Sequence, residues 1–429
     1  MVDRALEILE RKNLFLTGGA GTGKSRLTTE ITDILTSRGR RVVLLGSTGI
    51  SAVNIGGVTL HSFFRFGISS NLEELSQQDR RNRRAISELA SILEETDLIV
   101  IDEISMVGAW MMDMIRYRLD RLGFNGKIMV VGDFFQLPPV RRREKNENRD
   151  LFSGGLYAFE SDAWDSMDFE TIELEEIRRS GDSRFHRILE ALRRGEKSPD
   201  LIDYLVSLST NENFGGMDPT WLFGRNLEVE RTNRIKMDSL DGEEFRLHAE
   251  IDMAKGISPK RIEKWIPLLP VGEELVLKRG APLLFCVNRW GKYANGERGV
   301  LRDVDDESLI VEKEDGTFVR TDRHTFELPE YTLGEDGEPK KSVSATFTQY
   351  PVRPAYAVTI HKSQGMSIES LVCNIDNIFT PSQFYVAISR SSDPSRLRID
   401  YARSNLRGYL SSIISVDERV VSYYERLKR

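Results

Sequence analysis

The chain has 429 residues, 40% of them hydrophobic and 30% charged, a length that at roughly 150 residues per domain exceeds one core and a composition that excludes a disordered or low-complexity chain. Its 60 basic and 67 acidic residues give a net charge of −7, which excludes a nonspecific basic nucleic-acid coat but leaves room for a local basic and aromatic track. No apolar run reaches the roughly 18 residues of a membrane span, and the start Met1-Val2-Asp3-Arg4 lacks a secretion pattern, so a soluble intracellular protein is expected. Cys286 and Cys373 sit in apolar, strand-like runs and read as buried free thiols. The five histidines lack metal-ligand spacing, so zinc is not expected.

NLFLTGG (Asn13 to Gly19) reads as a strand running into glycines, and Ser25 to Gly39 has helical spacing with a glycine stop. RVVLLGS, DLIVIDE (Asp97 to Glu103) and KIMVVGD (Lys127 to Asp133) are further apolar strands, with a helix expected from Ser105 to Leu122. Strands alternating with helices imply a parallel sheet covered on both faces, hence an α/β fold. The rhythm resumes after Glu170 with a helix over Asp182 to Arg194, a strand at Thr220 to Phe223 and a helix over Asn226 to Leu240. From Gly242 to Ser344 short alternating runs separated by Gly, Asp and Asn read as an all-β insertion, and the α/β pattern returns at Ala355 to Gly365. The expected division is 1–170, 171–241 with 345–429, and the insertion 242–344. The basic runs Arg80, Arg81, Arg83, Arg84 and Arg141, Arg142, Arg143 suit either a DNA track or a solvated charged face.

GGAGTGKS (Gly18, Gly19, Ala20, Gly21, Thr22, Gly23, Lys24, Ser25) carries the phosphate-binding loop pattern between a strand and a helix. Glycines let backbone N–H groups curl around phosphate oxygens at a helix N-terminus. Lys24 then reaches the β- and γ-phosphates of ATP, and Ser25 offers a ligand to Mg2+. Asp102 and Glu103 end a buried strand, where ligands bind in open parallel sheets. Asp102 can hold the magnesium through water and Glu103 can take the proton of the attacking water. Gly132 to Val140 (GDFFQLPPV) brings Asp133 and Gln136 to the same edge, with Gln136 placed to contact the γ-phosphate. Pro138 and Pro139 fix φ and stiffen that loop.

GGAGTGKS, STGISA, TLHSFF, VIDEISM, GDFFQLPPV, TIHKSQG and YVAISR follow one another from Gly18 to Arg390. In this order they resemble superfamily 1B helicases, specifically the petite-integration-frequency (PIF) family, more than the related RecD-like helicases. The resemblance implies two RecA-like P-loop domains, a small SH3-like barrel for the β-rich insertion and a wedge for strand separation, placed at about 65–84. It implies that Arg179 and Arg390 act as arginine fingers on ATP, with Gly365 a further nucleotide contact. On the DNA side it implies contacts from Thr48, His61, Ser62 and Phe63 in the first domain and from Thr359, His361 and Lys362 in the second. The activity implied is an ATP-dependent 5′-to-3′ DNA helicase, monomeric, cytoplasmic if bacterial, acting on single-stranded, forked, duplex or quadruplex DNA. A translocase that strips proteins from DNA and a non-cycling ATP-gated clamp are the competing readings; Lys24, Glu103 and both arginines argue against the clamp. Three features depart from the family: Met1 to Lys12 holds no glutamine to read adenine, Ser180 follows Arg179 where glutamine is common, and only GFNG (Gly123 to Gly126) remains of the stretch between the second and third motifs.

Overall fold

The computed structural model describes residues 1–67, 69, 72–139, 155–176, 181–214, 218–305, 307–333, 339–378 and 380–428. It divides into unit 1 (Met1–Glu176, Leu328–Ser344 and Glu418–Arg429) and unit 2 (Ile177–Glu327 and Ala345–Asp417). Arg179 and Arg141, Arg142 and Arg143 lie outside the described residues.

In unit 1 the apolar runs become strands β1 (Asn13–Gly18), β2 (Val42–Gly46), β3 (Val58–Thr59), β4 (Leu98–Asp102), β5 (Lys127–Gly132) and β6 (Phe169–Leu174). They form one sheet in the order β3-β2-β4-β5-β1-β6 with every pairing parallel. Alternation along β1 sends Leu14 and Leu16 to one face, where they pack with Ala5, Leu6, Ile8 and Leu9 of α1 (Val2–Arg11) and with Leu27 and Ile31 of α2 (Lys24–Ser37). Phe15 packs instead with Phe134, Trp164 and Tyr423. Tyr423 belongs to the helix Glu418–Leu427, whose Val420, Tyr423 and Tyr424 are buried. This helix therefore belongs to unit 1, whereas the sequence division placed it with the second domain.

The remaining helices of unit 1 that bear on function are α3 (Gly49–Asn54), α4 (Leu60–Phe63), α5 (Leu72–Arg81), α6 (Arg83–Glu94) and α7 (Ala109–Arg121). The helix expected from Ser105 begins at Ala109 because Ile104–Met106 forms a separate 3-10 turn. Arg80, Arg81, Arg83 and Arg84 are exposed, while their neighbour Asp79 is buried. Asp79 pairs with Arg118 of α7 at 2.6 Å and with Arg121 at 2.7 Å, and Arg118 also donates to the Phe64 carbonyl at 3.1 Å.

Unit 2 holds a second parallel sheet, ordered Ala357–Thr359, Thr220–Phe223, Leu371–Asn374, Leu397–Asp400. Cys373 lies in this sheet and Cys286 just beyond the strand Pro282–Phe285; both are buried and free, and burial pushes the Cys286 thiol up to about 11 and the Cys373 thiol up to about 12. The β-rich interval forms an antiparallel sheet, ordered Phe318–Asp322, Ser308–Lys313, Arg298–Val304, Pro282–Phe285, Val352–Pro354. Its last strand lies beyond the expected end at Ser344. With three residues it is too short to show alternation, and its proline sits on an edge strand, where the missing N–H costs no ladder bond. Arg298, at the start of the strand Arg298–Val304, is only 2% exposed. It pairs with Glu314 at 3.3 Å and donates to the Asp218 carbonyl. Lys292 is exposed, beside a fully exposed Trp290.

Asp79 and Arg118 fix α5 to α7, and a buried charge left without its partner is costly. Asp79→Ala is expected to destabilise the protein by about 3 kcal/mol, and adding Arg118→Met should recover most of it; thermal unfolding of the two variants measures both effects.

Candidate ATP and DNA sites

The phosphate loop is the turn from β1 into α2. Gly21 and Gly23 have φ of 78° and 94°, conformations that L side chains avoid, and a Cβ on Gly18 would lie 2.4 Å from the Leu174 carbonyl oxygen. The loop thus needs glycine both to turn and to pass β6. Its N–H groups open at the N-terminus of α2, the positive end of the helix dipole. The Lys24 ammonium donates to the carbonyls of Gly18 and Gly19 at 2.8 and 3.0 Å, and the Thr22 hydroxyl donates to Gly19 at 2.9 Å. Ala20 is buried beneath the loop and Ser25 is exposed on the first turn of α2.

Register brings the other candidates to the same edge. Ile101 of β4 lies opposite Val130 of β5, and Gly132 of β5 opposite Thr17 of β1, so Asp102, Asp133 and the phosphate loop leave three adjacent strands. Burial, then the charge of Glu103, pushes the Asp102 carboxyl up to about 7, while the Lys24 ammonium pulls it down. Glu103 has φ of 53°, a left-handed conformation costly for a residue with a Cβ and typical of functional positions. Gln136 is buried, and its N–H donates to the Asp133 carbonyl at 2.8 Å. The Phe135 N–H donates to the Asp133 carboxylate at 3.2 Å. Unit 1 therefore gathers Gly18 to Ser25, Asp102, Glu103 and Gln136 at one strand edge.

The DNA candidates of unit 1 fare differently from one another. Thr48 caps α3: its hydroxyl accepts from Ser51 N–H at 3.1 Å in a reciprocal capping box. His61 and Ser62 are half-buried on α4, and the His61 ring stands edge-on to Phe66 at 6.1 Å. Phe63 is buried against Phe64 at 5.0 Å and Tyr331 at 5.6 Å. Its ring is packed into the core of unit 1.

In unit 2, Thr359 ends its strand and accepts from the Lys362 N–H at 3.2 Å. His361 is half-buried, which lowers its pKa and leaves the imidazole neutral near pH 7; Lys362 and Gly365 are exposed. Arg390 is only 2% exposed. Its guanidinium donates to the Val386 carbonyl at 2.9 Å, the Ser389 hydroxyl at 2.9 Å and the Ser363 carbonyl at 3.3 Å. The last of these joins Arg390 to the turn that carries Thr359, His361, Lys362 and Gly365.

With this geometry in place, the sequence profile of the PIF1-like helicases matches residues 2–198. The ATP-dependent DNA helicase Pif1 of Campylobacter jejuni is 39% identical over 99% of this chain and 97% of its own length. The chain belongs to the PIF1-like helicase family. It is an ATP-dependent DNA helicase. A PIF1-like helicase fold is also seen in the crystal structure of Bacteroides sp Pif1 in complex with ADP-AlF4, with a TM-score of 0.85 at 25% identity over 100% of this chain and 96% of that one. Pif1 helicase from Candida albicans gives a TM-score of 0.71 at 28% identity over 99% and 98%. Bacteroides Pif1 has also been crystallised bound to single-stranded DNA.

Sequence reasoning missed Tyr424 and Thr17, whose hydroxyls lie 2.6 Å apart beside the phosphate loop of this PIF1-like helicase. The available signal was the spacing of Val420, Tyr423 and Tyr424, the buried stripe of an amphipathic helix. Of the residues expected from the sequence, Glu103 is the candidate base, and replacing it by Gln keeps the shape and removes the capacity to accept a proton. The turnover number for ATP should fall by a factor of about 100 to 10,000 while nucleotide affinity changes little; steady-state ATPase assays with a separate nucleotide titration check this, and undiminished turnover would remove Glu103 from the role of base.

Proposed function

We propose that this helicase moves 5′-to-3′ along single-stranded DNA and that each ATP cycle is relayed to the DNA through Arg390. The observation that carries the reading is the hydrogen bond from Arg390 to Ser363, because it ties a cation suited to the γ-phosphate to the turn bearing the DNA candidates Thr359, His361 and Lys362. In this proposal Lys24 and the loop amides hold the phosphates, Glu103 accepts the proton of the attacking water, and Gln136 contacts the γ-phosphate. Arg390, together with Arg179, stabilises the charge that develops during transfer. Gly365 lies in the same turn, where its lack of a side chain leaves the backbone open to nucleotide.

The residues fit a magnesium ion. Asp102 and Glu103 form a pair of carboxylates in which burial, and then repulsion from Glu103, raises the Asp102 carboxyl, and Ser25 offers a hydroxyl at the mouth of the loop; such oxygen donors suit a hard divalent cation. Ser25 and Asp102 would hold the ion, which neutralises phosphate charge when bound. The substrates proposed are single-stranded, forked, duplex and quadruplex DNA, engaged by a monomer. Among the described residues no helix is long and apolar enough to cross a membrane.

Duplexes with a single-stranded tail on either the 5′ or the 3′ side test the direction. With ATP and magnesium the 5′-tailed duplex should be unwound and the 3′-tailed one left intact. Preference for the 3′ tail would reverse the assigned polarity, and ATP hydrolysis without unwinding of either would favour a translocase.

A further inference from the structure

The helix Glu418–Leu427 is secured to unit 1 by more than one contact. The Tyr423 ring stacks on Phe159 at 4.3 Å and meets Phe15, Phe134 and Trp164 within a continuous aromatic cluster. Arg419 pairs with Glu160 at 3.4 Å and lies over the Tyr157 ring. Tyr424 is likewise only 5% exposed, and its hydroxyl lies against Thr17 beside the phosphate loop.

That hydroxyl lies 2.6 Å from the Thr17 hydroxyl, immediately before the phosphate loop. It accepts from the Phe134 N–H at 3.3 Å and donates to the Asp133 carboxylate at 3.4 Å. A phenol has one hydrogen to donate and can accept two. With Thr17 donating, all of these capacities are used in one consistent arrangement. The Tyr424 ring also stacks on Phe135 at 4.6 Å. Asp133 in turn accepts from the N–H groups of Phe135, through its carboxylate, and Gln136, through its carbonyl. One side chain from the far end of the sequence therefore joins the strand that carries the phosphate loop to the loop that carries Gln136.

We infer that Tyr424 is a positioning residue for ATP hydrolysis: its hydroxyl holds the Asp133 to Gln136 turn at a fixed distance from the phosphate loop, so that Gln136 meets the γ-phosphate in the geometry of transfer. The inference rests on the reading of Gln136 as the γ-phosphate contact. Nucleotide binding is left to the loop amides and Lys24, so the hydroxyl acts on the catalytic step rather than on affinity.

The test is Tyr424→Phe, which removes the hydroxyl and keeps the ring on Phe135. Its kcat for hydrolysis stimulated by single-stranded DNA should fall about fivefold, the scale of one hydrogen bond, with KM for ATP shifted less than about twofold. Thr17→Val, which deletes the partner hydroxyl, should reproduce that loss, and Thr17→Ser should restore most of the rate. In a Gln136→Ala background the Tyr424→Phe change should lower kcat by less than about 1.5-fold, because residues acting as one unit are non-additive. A role confined to stability would instead lower the unfolding midpoint and leave kcat per folded molecule unchanged. Wild-type kcat in Tyr424→Phe overturns the inference. So does a full fivefold loss on top of a defective Gln136→Ala, which leaves the reading of Gln136 intact, whereas wild-type kcat in Gln136→Ala alone overturns that reading itself.

Discussion

The chemistry of unit 1 depends on the parallel register of β4, β5 and β1. Because these neighbours run in one direction, the residues that leave them, Asp102 and Glu103, Asp133 to Gln136, and the phosphate loop, emerge at the same edge. The register is held from both faces of the sheet. Leu14 and Leu16 are buried under α1 and α2, and Phe15 in the aromatic cluster on the opposite side, each worth about 2 kcal/mol of burial. A slip of one residue would exchange the faces. It would also carry the Thr17 hydroxyl away from Tyr424 and the phosphate loop away from Asp102.

On this frame each buried charge has a distinct use. At the nucleotide edge the Lys24 ammonium favours the charged form of Asp102, which burial and Glu103 disfavour. Asp79 and Arg118 tie α5 and the Phe64 carbonyl to α7, the helix that follows Glu103 and its 3-10 turn. Within unit 2, Arg390 is satisfied by two carbonyls and a hydroxyl of its own surroundings. The bond to Ser363 ties Arg390 to the turn that carries Thr359, His361, Lys362 and Gly365.

Much of this was legible in the sequence, because the signals were local. Strand, glycine loop and helix succeed one another within Asn13 to Ser37, and an apolar strand delivers Asp102 and Glu103 without reference to distant residues. What the sequence did not show has the opposite property. The burial of Phe63 depends on the arrival of Tyr331, from far along the chain, against its ring. The burial of Arg298 likewise depends on groups elsewhere in the chain, Glu314 and the Asp218 carbonyl. The helix Glu418–Leu427 displays its buried stripe plainly, yet periodicity names a face and not its partner, and the partner here is encoded some four hundred residues earlier, in Phe15 and Thr17. Arg179 remains assigned on resemblance.

The measurement that bears most directly on the central claim is single-turnover ATP hydrolysis by Arg390→Ala, with nucleotide binding and thermal unfolding followed on the same protein. If unit 1 binds ATP by itself and hydrolysis waits on the arginine of unit 2, binding should be nearly unchanged and the hydrolysis step slower by about a thousandfold. A variant that hydrolyses ATP at the normal rate would contradict the account, and would leave Arg390 as a structural residue of its own unit.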